Sequence, residues 1–381
     1  MLLSAPLLTV ADQRVLDEIE VMRHELRDQV RAPQKWTDGL RRFLTADAVA
    51  ASNYIEGFRV STADAVDLMD GERDVDVSEE NRDETLAYQR MMSYVQALHN
   101  APDFTYSKDL FRAMHWMLQG HRHAPRKPAG QWRRGSVYVT DPRNPRVAAY
   151  TAPDFEQVPE LMEELVEWLC GEKGDTHLLV RAAMAHLNLV RIHPWADGNG
   201  RMSRSLQTLM IAREGVLAPE FSSIEAWLGN PGNTWEYYRQ LGRFGPTYRT
   251  EVDASEWVRF NLTGYHQQAQ SVRFTVQRAS RLWIELAAFA ARKGLDERTI
   301  SALYEAAAAG RVRRARYERS EDLSLQQAQR DLRDLVTAGI LAPVGRTRAR
   351  YYRPGEAIPQ DVLEFAATPV TLDDPYADSV L

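Results

Sequence analysis

Apolar residues recur along most of this chain at three- and four-residue steps, the period of helices that bury one face. Residues 12 to 30 put Val15, Ile19, Met22, Leu26 and Val30 on one stripe, with Asp17, Glu18, Arg23 and Arg27 off it, and Pro33 ends the run. A second helix is expected to begin near Thr45, to contain Ala46 to Tyr54, and to stop at Gly57, the residue type favoured just past a helix end. Ser61-Thr-Ala-Asp64 is a capping-box-like start for a third, ending near Gly71. The charged segment 72–83 reads as a surface connection. From Glu84, the positions Leu86, Met91, Met92, Val95 and Leu98 describe another helix, closed by the turn around Asn100-Ala-Pro102. Ser107 then caps one that carries Leu110, Met114, Met117 and Leu118, a methionine stripe suited to core packing.

The pattern changes at Gly130-Gln131-Trp132-Arg133-Arg134-Gly135. Ser136-Val137-Tyr138-Val139 and Val147-Ala-Ala-Tyr150 are short β-prone runs on either side of Asp141-Pro142-Arg143-Asn144-Pro145, as in a small hairpin. Helical patterns resume at 157–171, at Leu179, Ala182, Ala183, His186, Leu187 and Val190, and at Met202, Leu206, Leu209 and Met210. Residues 234–268 supply more, with Trp235, Tyr237, Tyr238, Trp257 and Tyr265 as bulky packing groups. A long Ala-rich helix follows from about Ser271. Ser324 opens a capped helix with Ala328, Leu332 and Leu335 inward, and Ile340-Leu341 and Arg350-Tyr351-Tyr352 flank a turn at Gly345. The sequence after Pro354 reads as a loosely ordered tail. The expectation is a mainly α protein divided into 1–100, a core at 101–270, a third unit at 271–355 and a tail at 356–381.

Composition narrows the function classes without selecting one. With 381 residues there is room for two or three domains, and 44% hydrophobic with 26% charged residues is ordinary for a globular protein. The formal net charge of −6 gives no overall attraction to nucleic acid, although residues 311–353 alone hold eleven arginines against five acids. Cys170 is the only cysteine, which excludes an intrachain disulfide and suits a reducing compartment. Met1-Leu2-Leu3 lacks the basic region of a signal peptide, and no apolar run approaches the length that crosses a bilayer, so a soluble, cytoplasmic protein is expected.

The chemistry concentrates in Arg191-Ile-His193-Pro194-Trp195-Ala196-Asp197-Gly198-Asn199-Gly200-Arg201-Met-Ser-Arg204. A helix delivers His193, and Pro194 makes the chain leave that helix. The glycines around Asn199 allow a concave loop and close backbone approach to a ligand. The loop ends on the start of the next helix, where unpaired N–H groups and the positive end of the dipole suit phosphate. Arg201 and Arg204, one turn apart, add bidentate donors for phosphate oxygens. Asp197 is a hard oxygen ligand for a magnesium ion carried on those phosphates. His193 is the group in the loop that can take a proton near neutral pH. Each residue taken singly is as well explained as a turn or a core histidine; the ordered combination is what points to a nucleotide.

That run resembles the signature of the Fic family, His-Pro-Phe-x-Asp/Glu-Gly-Asn-Gly-Arg-x-x-Arg, with Trp195 in place of the phenylalanine. The resemblance implies a Fic-type helical bundle and, as in most such proteins, transfer of AMP from ATP to a Ser, Thr or Tyr hydroxyl of a target protein, with His193 as base. It implies phosphate binding by Gly198, Asn199, Gly200, Arg201 and Arg204, and magnesium on Asp197. Upstream, Ser52-Asn53-Tyr54-Ile55-Glu56-Gly57 matches the family's Ser/Thr-x-x-x-Glu-Gly/Asn inhibitory helix, here about residues 45–57. By that resemblance Ser52 and Glu56 form a brake in which Glu56 pairs with the first signature arginine, Arg201. The hairpin at about 130–150 corresponds to the family's flap, whose Ser136, Val137, Tyr138 and Val139 would hold the target by strand-like pairing. Its Gln-Trp-Arg replaces the commoner Gln-Tyr-Arg.

The C-terminal order of helix, helix and hairpin resembles the winged helix with which many Fic proteins end. Gln326, Arg330 and Arg333 would share the outer face of its second helix, positions suited to DNA contact, though such modules also dock proteins. Two other functions stay open on the sequence: a nucleotide-sensing, DNA-binding regulator or scaffold, and removal of AMP from a modified protein with Glu56 orienting a water. Tyr238 is a candidate for an adenine pocket or for core, and Asn233 and Asn261 are undetermined.

Overall fold

The computed structural model describes every residue except 32–33, 123–124, 126, 142–143, 173, 347–349 and 378–381. Pro33 and the Pro142-Arg143 step of the expected hairpin turn therefore lie outside the described residues. The N-terminal part is helical: α1 (Val10–Arg31), α2 (Thr37–Ile55), α3 (Thr62–Met69), α4 (Glu79–Leu98) and α5 (Lys108–Gln119). Ser61 and Ser107 cap α3 and α5, their side chains accepting the N–H of Asp64 and Leu110. Two starts differ from expectation. α2 begins at Thr37, because Trp36 and Leu40 extend its buried face, and α4 begins at Glu79, where Ser78 caps it inside the segment read as a connection.

A hairpin of β1 (Tyr138–Asp141) and β2 (Asn144–Thr151) follows, antiparallel with register shifts around Thr140. Ser136 and Val137, expected within the first strand, precede it; Val137 instead accepts the N–H of Ala152 through its carbonyl. Then come α6 (Val158–Cys170), α7 (Leu178–Ile192), α8 (Asn199–Glu214), the short α9 (Pro219–Ser222) and α10 (Glu225–Leu228), α11 (Pro231–Gly242) and α12 (Ser255–Arg292). α7 is buried along nearly its whole length, with α8 against it, forming the centre of the bundle. The molecule is mostly helical with small β hairpins.

The third part is α13 (Thr299–Ala309), α14 (Arg314–Ser320), α15 (Leu325–Thr337), then β3 (Leu341–Val344) paired antiparallel with β4 (Tyr351–Pro354). Val312 adds an antiparallel bridge to Tyr352. Among the described residues two large apolar cores dominate, beside a small cluster of Ala46, Ala50, Ala65 and Val66 between α2 and α3. One surrounds α7 and α8; the other gathers Leu40 and Phe221 with Leu286, Leu303, Tyr317 and Leu332. They meet along α12, a single 38-residue helix that gives Trp257 and Tyr265 to the first core and Val276 and Leu286 to the second.

The third part is also clamped to α3. Arg311 donates to Asp64 and Arg313 donates to Asp67, each at 2.7 Å, and Arg316 donates to Asp70 at 3.0 Å. The sequence beyond Pro354 is not a loose tail through residue 377. Ile358 and Val362, the latter on α16 (Gln360–Ala367), enter the second core, and the Tyr376 hydroxyl donates to Asp12 at 3.0 Å. Apolar side chains spaced for one buried helix face account for the difference. Among the described residues no helix is long and apolar enough to cross a membrane.

Candidate active site

His193 leaves α7 in the left-handed region, with φ 53° and ψ 57°. Only one other non-glycine residue among those described, Asp322, has a positive φ, so this is a real departure from what side chains prefer. Pro194 makes continuation of the helix unfavourable, and the surrounding hydrogen bonds hold the turn. The His193 N–H donates to Leu189 O at 3.1 Å, and Arg133 donates through Nε to His193 O at 2.8 Å and through its backbone N–H to Pro194 O at 2.9 Å.

Within the imidazole, Nδ1 lies 3.1 Å from the Val190 carbonyl. A carbonyl only accepts, so Nδ1 carries the hydrogen and Nε2 keeps its lone pair. Burial pushes the His193 pKa down to about 4, further than the Val190 carbonyl and the Glu56 and Asp197 carboxylates pull it up. The residue as a whole is half-buried. The ring is thus neutral and basic at Nε2 at ordinary pH.

The loop after His193 is braced from inside. Trp195 is fully buried, and its backbone N–H donates to Asn199 Oδ1 at 3.0 Å while Asn199 Nδ2 donates to Trp195 O at 2.9 Å. The Asn199 carboxamide therefore closes the loop, leaving its backbone N–H for an anion. His115 stacks on Trp195 with ring centroids 4.6 Å apart. Its Nε2 donates to Asp197 O at 3.1 Å and its Nδ1 accepts the Gly130 N–H at 2.9 Å, so one neutral histidine ties the loop to the stem of the hairpin. Burial pushes that histidine's pKa down to about 4.

Gly198 has φ 77°, a backbone setting that glycine meets without strain. α8 then starts at Asn199, placing the N–H groups of Asn199, Gly200 and Arg201 in its first turn, where intrahelical acceptors are lacking. Both signature arginines are nearly inaccessible, at 1% exposure, and they face different partners. Arg204 donates through Nε to Ser52 Oγ at 2.8 Å and through Nη2 to Ser52 O at 3.1 Å and Glu56 Oε1 at 2.8 Å. Arg201 donates to Glu84 and, at 3.2 Å, to Asn53 Oδ1. This corrects the expected pairing. Glu56 at the end of α2 reaches the second arginine, one turn further along α8, while the buried Glu84 already holds the first.

Glu56 does more than pair with a guanidinium. Its Oε1 lies 2.5 Å from where a β-carbon on Gly200 would stand, so the carboxylate fills the concavity over the first turn of α8. Asp197 sits at the edge of a cleft of about 490 Å³, shared with His115, Lys127 and the hairpin stem. Its Oδ1 accepts the Gly198 N–H at 2.7 Å, Arg122 donates to Oδ2 at 3.1 Å, and Lys127 Nζ lies 3.9 Å away.

Along the hairpin, Ser136, Tyr138 and Val139 are exposed and Val137 is half-buried. Tyr150 stacks under Arg191, whose guanidinium also donates to the carbonyls of Phe244, Gly245 and Thr247 and so fixes the hairpin base. Tyr238 is 39% exposed and donates to Ile55 O at 2.9 Å, beside the end of α2. Asn233 and Asn261 donate to backbone carbonyls of Trp227 and Trp257, as packing groups do. Gln326, Arg330 and Arg333 lie exposed on α15, far along the chain from this cluster.

Several participants escape the motif: Glu84, His115, Arg122, Arg133 and Glu225. Glu225 is buried beneath Arg204 and accepts from the Tyr88 hydroxyl, and burial raises its pKa. For Glu84 a signal exists in the sequence, since it shares the apolar stripe of Tyr88, Met91, Met92 and Val95, where an acid is out of place.

Comparison with known proteins finds similar sequences and a similar fold. Residues 105–211 match the family model described as Fic/DOC family. A protein from Culex quinquefasciatus named protein adenylyltransferase Fic is 35% identical over 164 residues, 42% of this chain and 31% of that protein. A protein of the same name from Drosophila mojavensis is 28% identical over 218 residues, 56% of this chain and 40% of that one. The chain thus spans about a third of the length of these curated relatives. Among solved structures, a Fic family protein from Desulfovibrio desulfuricans G20 shares the fold, with TM-score 0.57 at 22% identity, covering 92% of this chain and 98% of that one. Fic-1 from C. elegans, residues 134–508, gives TM-score 0.52 at 25% identity, covering 68% and 71%. The chain carries a domain of the Fic/DOC family over residues 105–211.

Proposed function

We propose that this protein transfers AMP from ATP to a hydroxyl side chain of a target protein and that Glu56 restrains the reaction. The observation that carries the reading is the juxtaposition of a neutral imidazole, Nε2 free, with a helix start flanked by two buried guanidiniums. The first-turn N–H groups and Arg201 and Arg204 bind phosphate oxygens. Nε2 of His193 takes the proton of the target hydroxyl as its oxygen attacks the α-phosphorus. A new P–O bond forms, the α–β bridge breaks, and pyrophosphate leaves. The adenylyltransferase names of the relatives support the same chemistry.

The donor set suits magnesium. Asp197 is a hard carboxylate at an open edge and already attracts Arg122 and Lys127. Among the described residues no three His, Cys, Asp or Glu side chains gather into a metal site, so other ligands would be phosphate oxygens and water. When bound there, the ion would neutralise phosphate charge. The exposed first strand of the hairpin offers an edge on which an extended target segment can pair.

Label supplied on the α-phosphate of ATP is expected to stay with protein, and label on the γ-phosphate is not. Retained γ-label would point to phosphoryl transfer, and neither label in any variant to a nucleotide sensor.

A second reading concerns the C-terminal part. The antiparallel β3–β4 hairpin behind α15, with Arg330 and Arg333 exposed, fits a winged helix with a basic face. Duplex DNA retention is expected to weaken with salt and to drop when Arg330 and Arg333 are both changed to Ala. Retention that ignores both salt and substitution would remove this reading.

A further inference from the structure

Behind the signature lies a carboxylate that the transfer chemistry leaves unexplained. Glu84, in α4, has no exposed side-chain surface to speak of and accepts from Arg201, from Arg122 Nε and, at 2.7 Å, from His121 Nε2. Arg122 continues outward to Asp197 Oδ2 at 3.1 Å. The two guanidiniums lie 5.4 Å and 5.5 Å from the ring centroid of Phe58, just after Glu56 and Gly57. Charge therefore alternates along one connected path, Arg201 to Glu84 to Arg122 to Asp197, from the start of α8 to the candidate metal ligand.

The links of this path differ in strength. Arg201 and Glu84 are each about 1% exposed, and breaking such a pair from one side strands a buried charge. Arg122 and Asp197 are 31% and 35% exposed, so their contact is solvent-weakened and opens easily. Asp197 has both oxygens engaged, Oδ1 by the Gly198 N–H and Oδ2 by Arg122. One oxygen cannot give its contact distance to a guanidinium and to a divalent ion together.

We propose that Glu84 and Arg122 are positioning residues for the nucleotide: Glu84 fixes Arg201 at the phosphate cradle, and Arg122, tethered to Glu84, is a resident cation on Asp197 that swings aside when metal and nucleotide arrive. The inference rests on the nucleotide reading above. After the swing Arg122 keeps its Nε contact with Glu84, so its charge stays beside the phosphates.

The test uses the full chain carrying Glu56→Gly, with manganese and the non-hydrolysable α,β-methylene analogue of ATP. Free Mn²⁺ is read by electron paramagnetic resonance with no analogue present, and metal-free analogue binding is read separately in the presence of EDTA. Adding Arg122→Gln is expected to tighten Mn²⁺ binding about two- to fivefold, the size of one partly exposed ion pair removed as a competitor. A purely structural Arg122 would give the opposite sign, and unchanged or weaker Mn²⁺ binding would overturn the proposal. Adding Glu84→Gln is expected to weaken metal-free analogue binding about tenfold, through loss of a fixed charge-assisted donor. Unchanged binding there would overturn Glu84's part. If Glu84→Gln fails to fold, the Arg122→Gln result alone decides. A Glu56→Gly parent that binds neither metal nor analogue would take down the nucleotide reading, and this inference with it.

Discussion

Replacing Glu56 by glycine is expected to raise label incorporation from α-labelled ATP by roughly ten- to a hundredfold, the range of one charge-assisted contact restored to the substrate. Glu56 occupies Arg204 at 2.8 Å and stands over Gly200, so a nucleotide phosphate and this carboxylate compete for one guanidinium and one concavity. Arg204 is ready for the exchange. Its Nη1 is buried and makes no hydrogen bond among the described residues. Its Nε and Nη2 stay fixed by Ser52 when Glu56 is gone, so the fork keeps its pose. Glu56 is about a quarter exposed, so losing the pair is expected to lower folding stability by only ~1 kcal/mol after solvent screening. Equal labelling by the parent and the variant would sink the brake. A variant that loses the ability to release AMP from a modified protein, with transfer unchanged, would instead favour the reverse reaction.

Replacing His193 by alanine is expected to reduce transfer about a hundred- to ten-thousandfold, the contribution of a positioned general base. Nucleotide binding should change little, because the phosphate donors belong to α8 and its first turn. The pH profile gives an independent check. With a pKa near 4, the imidazole stays unprotonated as pH falls from 8 to 5.5, whereas an ordinary histidine would be half protonated near pH 6.5. Its basic form is therefore kept through this window and lost only near pH 4. The same shift lowers stability on acidification, since below pH 6.5 the unfolded chain takes up a proton that the folded site resists. Transfer by the Glu56→Gly protein that halves near pH 6.5 with His193 as the titrating group would contradict this account of the ring.

Much of this architecture could be read from side-chain periodicity. The stripe leading to Val190 and the one resuming at Met202 placed α7 and α8, and Pro194 with Gly198 marked the turn between them, because these features act locally. The Ser61, Ser107 and Ser324 caps follow from the same local logic. Pairings between distant segments have no such signature. Ser52 and Glu56 lie about 150 positions before Arg204, and nothing in their spacing says which of two arginines one turn apart they meet. His115 sits in a methionine-rich stripe where one polar residue is easily taken for core, and its role shows only in its stacking on Trp195. The sequence beyond Pro354 resembles a tail because its few apolar residues do not declare a partner, yet Ile358 and Val362 find one already built by α12 and α13.

The 38 residues of α12 form a rod of about 57 Å at the rise of an α-helix. Because its two ends are packed into different cores, it works as a shared keel. A tilt imposed on the C-terminal part is not dissipated in a loose tether; it arrives at the half that holds the candidate site as leverage on Trp257, whose indole N–H donates to Ala183 O in α7 at 2.9 Å, and on Tyr265, whose hydroxyl meets Gln207 in α8.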